Sequence, residues 1–139
     1  MDYVYAILAL AGAGFALFFA WQLYNQVMEK DEGEDNMRRI ARQVQDGAKA
    51  FMTTEYRWLG IFVGLVFLVL LVSSTEAGLG WKTAICFLLG AAASAAAGWF
   101  GMHTATRAAV RTTQAAKTSL SDALSVSFKS GTVMGLLVV

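Results

Sequence analysis

The sequence holds no proline, one cysteine and one histidine, and only 15% of its 139 residues are charged. Each scarcity removes a class of function. Cys86 alone supports neither a disulfide framework nor a cysteine zinc site within the chain, and its place in an apolar run suits a small buried hydrophobe. A net charge of +1, with no basic patch interleaved with base-stacking aromatics, excludes a nucleic-acid partner. No phosphate-loop motif, no nucleophile with its base and no pair of carboxylates inside an apolar run is present. With no proline before Trp58, nothing stops a helix from running unbroken into the apolar stretch that begins there.

Apolar residues are what the chain has in excess, at 57%, and they are clustered. Residues 3–28, 58–75 and 83–106 contain no Asp, Glu, Lys or Arg over 26, 18 and 24 positions. Each run is near or above the about 20 residues that cross a hydrocarbon layer. The expected fold is all-α: a polytopic membrane helix bundle in the lipid bilayer. Three full spans are expected at about 3–28, 56–75 and 83–106, the last continuing as a helix to about 117. A fourth, at 130–139, is too short to complete a crossing, so the chain reads as the beginning of something longer, a single integral membrane unit over 1–139. A soluble bundle is disfavoured because its helices would keep a polar face. The first run is not a secretory signal, since Asp2 precedes it and no positive n-region is present. Tyr3 and Tyr5 at one end and Trp21 and Tyr24 at the other fall where interfacial aromatic belts form.

Residues 29–35, EKDEGED, carry five carboxylates in a spacing that does not follow the calcium-loop pattern, and read as a solvated connector. From Asn36 the pattern turns amphipathic over about 36–57. Met37, Ile40, Ala41, Val44, Ala48, Phe51 and Met52 form an apolar stripe whose partner is the membrane interface or another helix. Asn36 is the expected N-cap, and Arg42 with Asp46 the expected i,i+4 ion pair. Gly60 and Gly64 in the second span, and Gly90, Ser94 and Gly98 in the third, give small-residue faces for close helix approach. Residues 76–82, EAGLGWK, read as a tight loop with Trp81 at the interface.

Basic residues set the expected orientation. Lys30, Arg38, Arg39, Arg42, Lys49 and Arg57 lie between spans one and two, and Arg107, Arg111, Lys117 and Lys129 between three and four, against Lys82 alone between two and three. Positive-inside places both long connections in the cytoplasm and the N-terminus outside. His103, Arg107 and Arg111, at i, i+4 and i+8, form one cationic stripe at the mouth of the third span. Its roles stay open between attraction of an anion, pairing with carboxylates on later helices, and interfacial anchoring. Ser119 and Asp122 match a capping pair that opens the helix SLSDALSVSF.

The string GMHTATRAAVRTTQAAKTSLSDALSVSFKSGTVMGLLVV resembles the N-terminal region of the membrane-bound, ion-translocating inorganic pyrophosphatases. Gly101, Met102, Ala105, Thr106, Ala108, Arg111, Thr112, Ala115 and Ala116 follow that family's first motif, and Ala123, Leu124, Phe128, Gly131, Val133, Met134, Gly135 and Leu136 its second. Ile40, Ala41, Gly47, Ala48, Ala50, Phe51, Glu55 and Tyr56 resemble an earlier segment. Ala109, Ser127 and Ser130 depart from the family's asparagine, alanine and glycine, and span one matches only as a generic span. The resemblance implies a homodimeric pump, multi-pass in the cell (inner) membrane, that couples hydrolysis of diphosphate to transport of H+ or Na+. Magnesium is its implied cofactor, and potassium is left open as a second. It also implies that the catalytic, cofactor-binding and metal-binding residues lie on the remaining helices, none in this stretch, so that the 139 residues alone are inactive. The competing reading is the transmembrane portion of a signalling receptor, which expects a long sensor segment between spans where only residues 76–82 stand.

Overall fold

A computed structural model describes residues 2–73 and 80–138, and over these the chain is four helices with no strand: α1 (Asp2–Met28), α2 (Asp35–Ser73), α3 (Gly80–Ala116) and α4 (Leu120–Val138). The loop expected at 76–82 and the end of the second span fall largely outside the described residues. Trp81 and Lys82 are described, and stand in the first turn of α3, with the lysine ammonium 5.8 Å from the indole ring.

α2 is one helix of 39 residues and α3 one of 37, so each is more than about 50 Å long at 1.5 Å per residue, well beyond the roughly 30 Å of a bilayer core. Both project past the apolar layer at the same end, because α2 enters its apolar half at Trp58 and α3 leaves its own near Thr106. α4 is continuous through Lys129 and Ser130, where a helix followed by the start of a span was expected. Ser119 opens it: its Oγ accepts from the Asp122 N–H at 3.1 Å and donates to Asp122 Oδ2 at 2.7 Å. Three helices, Tyr3–Met28, Asp35–Val72 and Gly80–Ala116, are long and apolar enough to cross a membrane.

The helices pack in the spatial order α2, α3, α4, α1, with a minor contact of α1 on α3 and none of α1 on α2 among the described residues. Of the helices that follow one another in sequence only α1 and α2 are therefore separated in space, and the acidic connector passes the C-terminal end of α3 to join them. The core lies at this end: Val27, Ala108 and Val126 are buried together, with Met28 and Ala115 against them. Lys129 Nζ donates to Gln26 Oε1 at 2.9 Å and ties α4 to α1. Toward the other end Ile7, Leu8, Phe15, Phe18, Phe62 and Leu68 are exposed. Cys86 is exposed as well, which corrects its expected burial: it stands on a face of α3 that no other described part of the chain covers.

Two local expectations at the start of α2 also change. The helix begins at Asp35, with the Glu34 carbonyl accepting from the Arg38 N–H at 3.0 Å, so Asn36 sits inside the first turn and is not the cap. Arg38 takes the carboxylates there, at 3.7 Å from Asp31 and 3.9 Å from Asp35, and no ion pair joins Arg42 to Asp46 among the described residues.

Candidate functional site

The polar centre of the chain is Arg111, 8% exposed near the end of α3. Helix α1 ends without a basic residue in its last turn, leaving its terminal carbonyls and the negative end of its dipole without a local cation. Arg111 supplies that cation from 81 to 83 residues away. Its Nε donates to the Lys30 carbonyl at 3.0 Å and its Nη2 to the Met28 carbonyl at 3.3 Å, while Nη2 also lies 2.9 Å from Glu32 Oε1. Nη1 donates to the Arg107 carbonyl on its own helix at 2.8 Å. A guanidinium is suited to this place, since its planar fork satisfies carbonyls and a carboxylate at once and it stays charged when buried.

The acidic connector is thereby docked, which its composition did not reveal. Asp31 and Asp35 face Arg38, Glu32 faces Arg111, and Glu34 accepts from Lys117 Nζ at 2.8 Å. Lys117 holds the Glu34 carboxyl below its ordinary value, first through the hydrogen bond and then through its charge. Gly33 makes the turn possible. It sits at φ +80°, buried, and its N–H donates to Asp31 Oδ1 at 3.1 Å. The positive φ favours glycine, and a Cβ at that position, 2.5 Å from Gln114 Oε1 and 2.9 Å from Met37 Sδ, would also displace the ends of those two side chains.

The cationic stripe divides by position. Arg111 is consumed by the clamp, whereas Arg107 reaches back only to the His103 carbonyl, at 3.4 Å. Arg107 and His103 line a cavity of about 310 Å³ between α2 and α3, together with Asp46 and Lys49 from α2 and the apolar Met52 and Trp99. Farther along the same seam Tyr56 Oη donates to the Ala95 carbonyl at 2.6 Å, and its ring lies 6.3 Å from that of Trp99. A Cβ on Gly98 would approach Tyr56 Oη to 3.1 Å, so this member of the small-residue face is used inside the chain. Gly60, Gly64 and Gly90 meet nothing within 4 Å.

No group of three or more His, Cys, Asp or Glu residues is placed to hold a metal ion among the described residues, and four of the connector's carboxylates, on Asp31, Glu32, Glu34 and Asp35, face arginine or lysine.

Comparison with known proteins gives the family. The profile described as inorganic H+ pyrophosphatase matches residues 14–139, which carries the match back into α1, where the sequence had shown only a generic span. A putative K(+)-stimulated pyrophosphate-energized sodium pump of Clostridium tetani is 43% identical over 133 residues, covering 96% of this chain and 19% of the relative. A K(+)-insensitive pyrophosphate-energized proton pump of Methanosarcina mazei is 38% identical over 125 residues, covering 90% of this chain and 18% of the relative. A K(+)-stimulated pyrophosphate-energized sodium pump of Thermotoga maritima is 41% identical over 126 residues, 88% of this chain and 16% of the relative. The chain thus spans less than a fifth of the length of these curated relatives, and the receptor reading finds no support among them. With nine-tenths of its length matched by one profile, and with these relatives named as pyrophosphate-energized sodium or proton pumps, this integral membrane chain belongs to the inorganic H+ pyrophosphatase family.

Proposed function

We propose that the chain is the N-terminal, supporting part of a pump that couples hydrolysis of inorganic diphosphate to the movement of H+ or Na+ across a membrane. The observation that carries this is the profile match over residues 14–139 together with the sodium- and proton-pump relatives. Hydrolysis of a multiply charged diphosphate calls for metal ions on carboxylates, cations for the leaving phosphate and a positioned water. Transport calls for ionisable groups within the membrane. We assign these, with magnesium and any potassium site, to the remaining helices of the full-length protein and none to residues 1–139. The pump would act as a homodimer in the cell membrane. Its N-terminus would lie outside, since Arg38, Arg39, Arg42, Lys49, Arg107 and Lys117 share the end opposite to Lys82. In this reading α1–α4 belong to an outer layer, with the Arg111 clamp fixing α1 against α3 and α4.

The test compares membrane vesicles carrying the full-length protein with vesicles carrying the 139 residues alone. Diphosphate with magnesium should release phosphate and drive ion accumulation in the first, with accumulation abolished by an ionophore, and do neither in the second. Hydrolysis without ion movement at full length would overturn the pump reading. Turnover by the short chain would overturn the assignment of catalysis to later helices.

A further inference from the structure

We propose that the seam between α2 and α3 holds one anionic phospholipid, its phosphodiester between Lys49 and Arg107 and an acyl chain along the apolar groove beyond them. The cavity of about 310 Å³ brings these two cations together from different helices, and neither has a carboxylate partner among the described residues. Arg38, Arg111 and Lys117 face carboxylates, whereas Lys49 and Arg107 share one cavity with no ion pair to either.

The cavity does not end in protein. Through Met52 and Met102, which line both, it adjoins a second space of about 600 Å³ whose walls include Phe51, Leu59, Ala95 and Gly98. The order of the two spaces follows the helices. Lys49 precedes Phe51 and Leu59 as α2 runs toward its apolar half, and Arg107 follows Gly98 as α3 leaves its own. A polar pocket where α3 leaves its apolar run, opening inward onto a more apolar groove of greater volume, has the layout of a headgroup above its chain. Trp99, on the wall of the outer pocket, suits the same interfacial depth.

Charge selects the class of ligand. Two fixed cations face one carboxylate, Asp46, in the outer pocket, and Glu55 lines the inner groove. A phosphodiester with a single negative charge matches this balance better than a free phosphate dianion does, and Glu55 keeps the anionic group out of the groove. The inference rests on the membrane setting of the chain and not on pumping. Lipid retention is read without hydrolysis, so its failure and that of the pump reading are distinguishable.

The full-length protein is extracted from vesicles of equimolar phosphatidylglycerol and phosphatidylcholine, and the retained lipid is counted by native mass spectrometry. The wild type should keep phosphatidylglycerol in excess. Lys49→Gln, on the exposed face of α2, should reduce that excess by about fivefold, the weight of one basic side chain near an anionic lipid. The pair Lys49→Gln and Arg107→Gln should bring it to parity, while Lys49→Arg should preserve it. Equal retention of both lipids by the wild type, or an undiminished excess in Lys49→Gln, would overturn the proposal. Inorganic phosphate added during extraction should leave the lipid in place. Its displacement would mean a soluble anion occupies the pocket and would overturn the lipid assignment.

Discussion

The two ends of this four-helix layer are held by different physics. At the end where the acidic connector crosses α3, side chains from three helices are buried together, Arg111 spans two backbone carbonyls and a carboxylate, and Lys129 reaches Gln26. At the other end the apolar halves of α1, α2 and α3 stand largely exposed, and Gly60, Gly64 and Gly90 face open space. In water the second end would be untenable, because so much contiguous apolar surface does not remain exposed on a soluble protein. In a bilayer it costs little, since lipid is as apolar as the side chains and helix association there relies on close packing and hydrogen bonds. The polar end therefore carries the chain's own tertiary structure, and the apolar end waits for lipid or further helices.

The largest expected effect lies at the clamp. Arg111→Met keeps the length of the side chain but leaves the Met28 and Lys30 carbonyls and Glu32 without their donor, at a cost of about 3 kcal/mol. Leu65→Ala, at an exposed position in the apolar half of α2, should cost less than about 0.5 kcal/mol. Unfolding of the detergent-solubilised protein, followed by circular dichroism, measures both. If the two variants lose the same stability, the contrast between the ends is wrong.

A middle-sized effect probes the boundary between the ends. Tyr56 is half-buried where the seam passes from polar to apolar, and its hydroxyl holds the Ala95 carbonyl at 2.6 Å. Tyr56→Phe keeps the ring beside Trp99 and removes only that bond, so about 1 kcal/mol should be lost in the same unfolding measurement. An unchanged midpoint would mean that the hydrogen bond is not what fixes α2 to α3.

The sequence made the helices legible and the clamp illegible, for a physical reason. A run such as residues 58–73 announces a span by composition alone, and Ser119 with Asp122 announces a helix start because both partners lie within one turn. Arg111 acts on carbonyls 81 and 83 residues away, and a carbonyl has no sequence signature. The stripe His103, Arg107, Arg111 was visible as a periodicity, yet only the fold separates the arginine buried in a clamp from the one facing a cavity. Local spacing also misled. Arg42 and Asp46 stand at the right interval for an ion pair, but Asp46 instead lines the α2–α3 pocket with Lys49 and Arg107. The acidic connector looked like a solvated loop because its partners, Arg111 and Lys117, lie beyond the second and third apolar runs.

The smallest effect concerns the rim of the polar end, where the Lys117 ammonium meets the Glu34 carboxylate in full contact with water. The ordinary value for this carboxyl is 4.5, and Lys117 lowers it in the folded chain. A group whose folded value is depressed contributes its stabilisation above the unfolded value and loses it as pH falls through the folded one. The pair should therefore be intact at neutral pH and weaken only on acidification below 4.5. An NMR titration of the Glu34 side chain should show its midpoint return to the ordinary range in Lys117→Ala, and move partway there in wild type as salt is raised, because exposed charges are screened. Arg111 and Glu32 should keep their pairing through the same salt series, since the guanidinium is shielded from water where the lysine is not. Equal salt sensitivity of the two pairs would place the Arg111 clamp at the surface and erase the distinction between a buried polar core and its solvated rim.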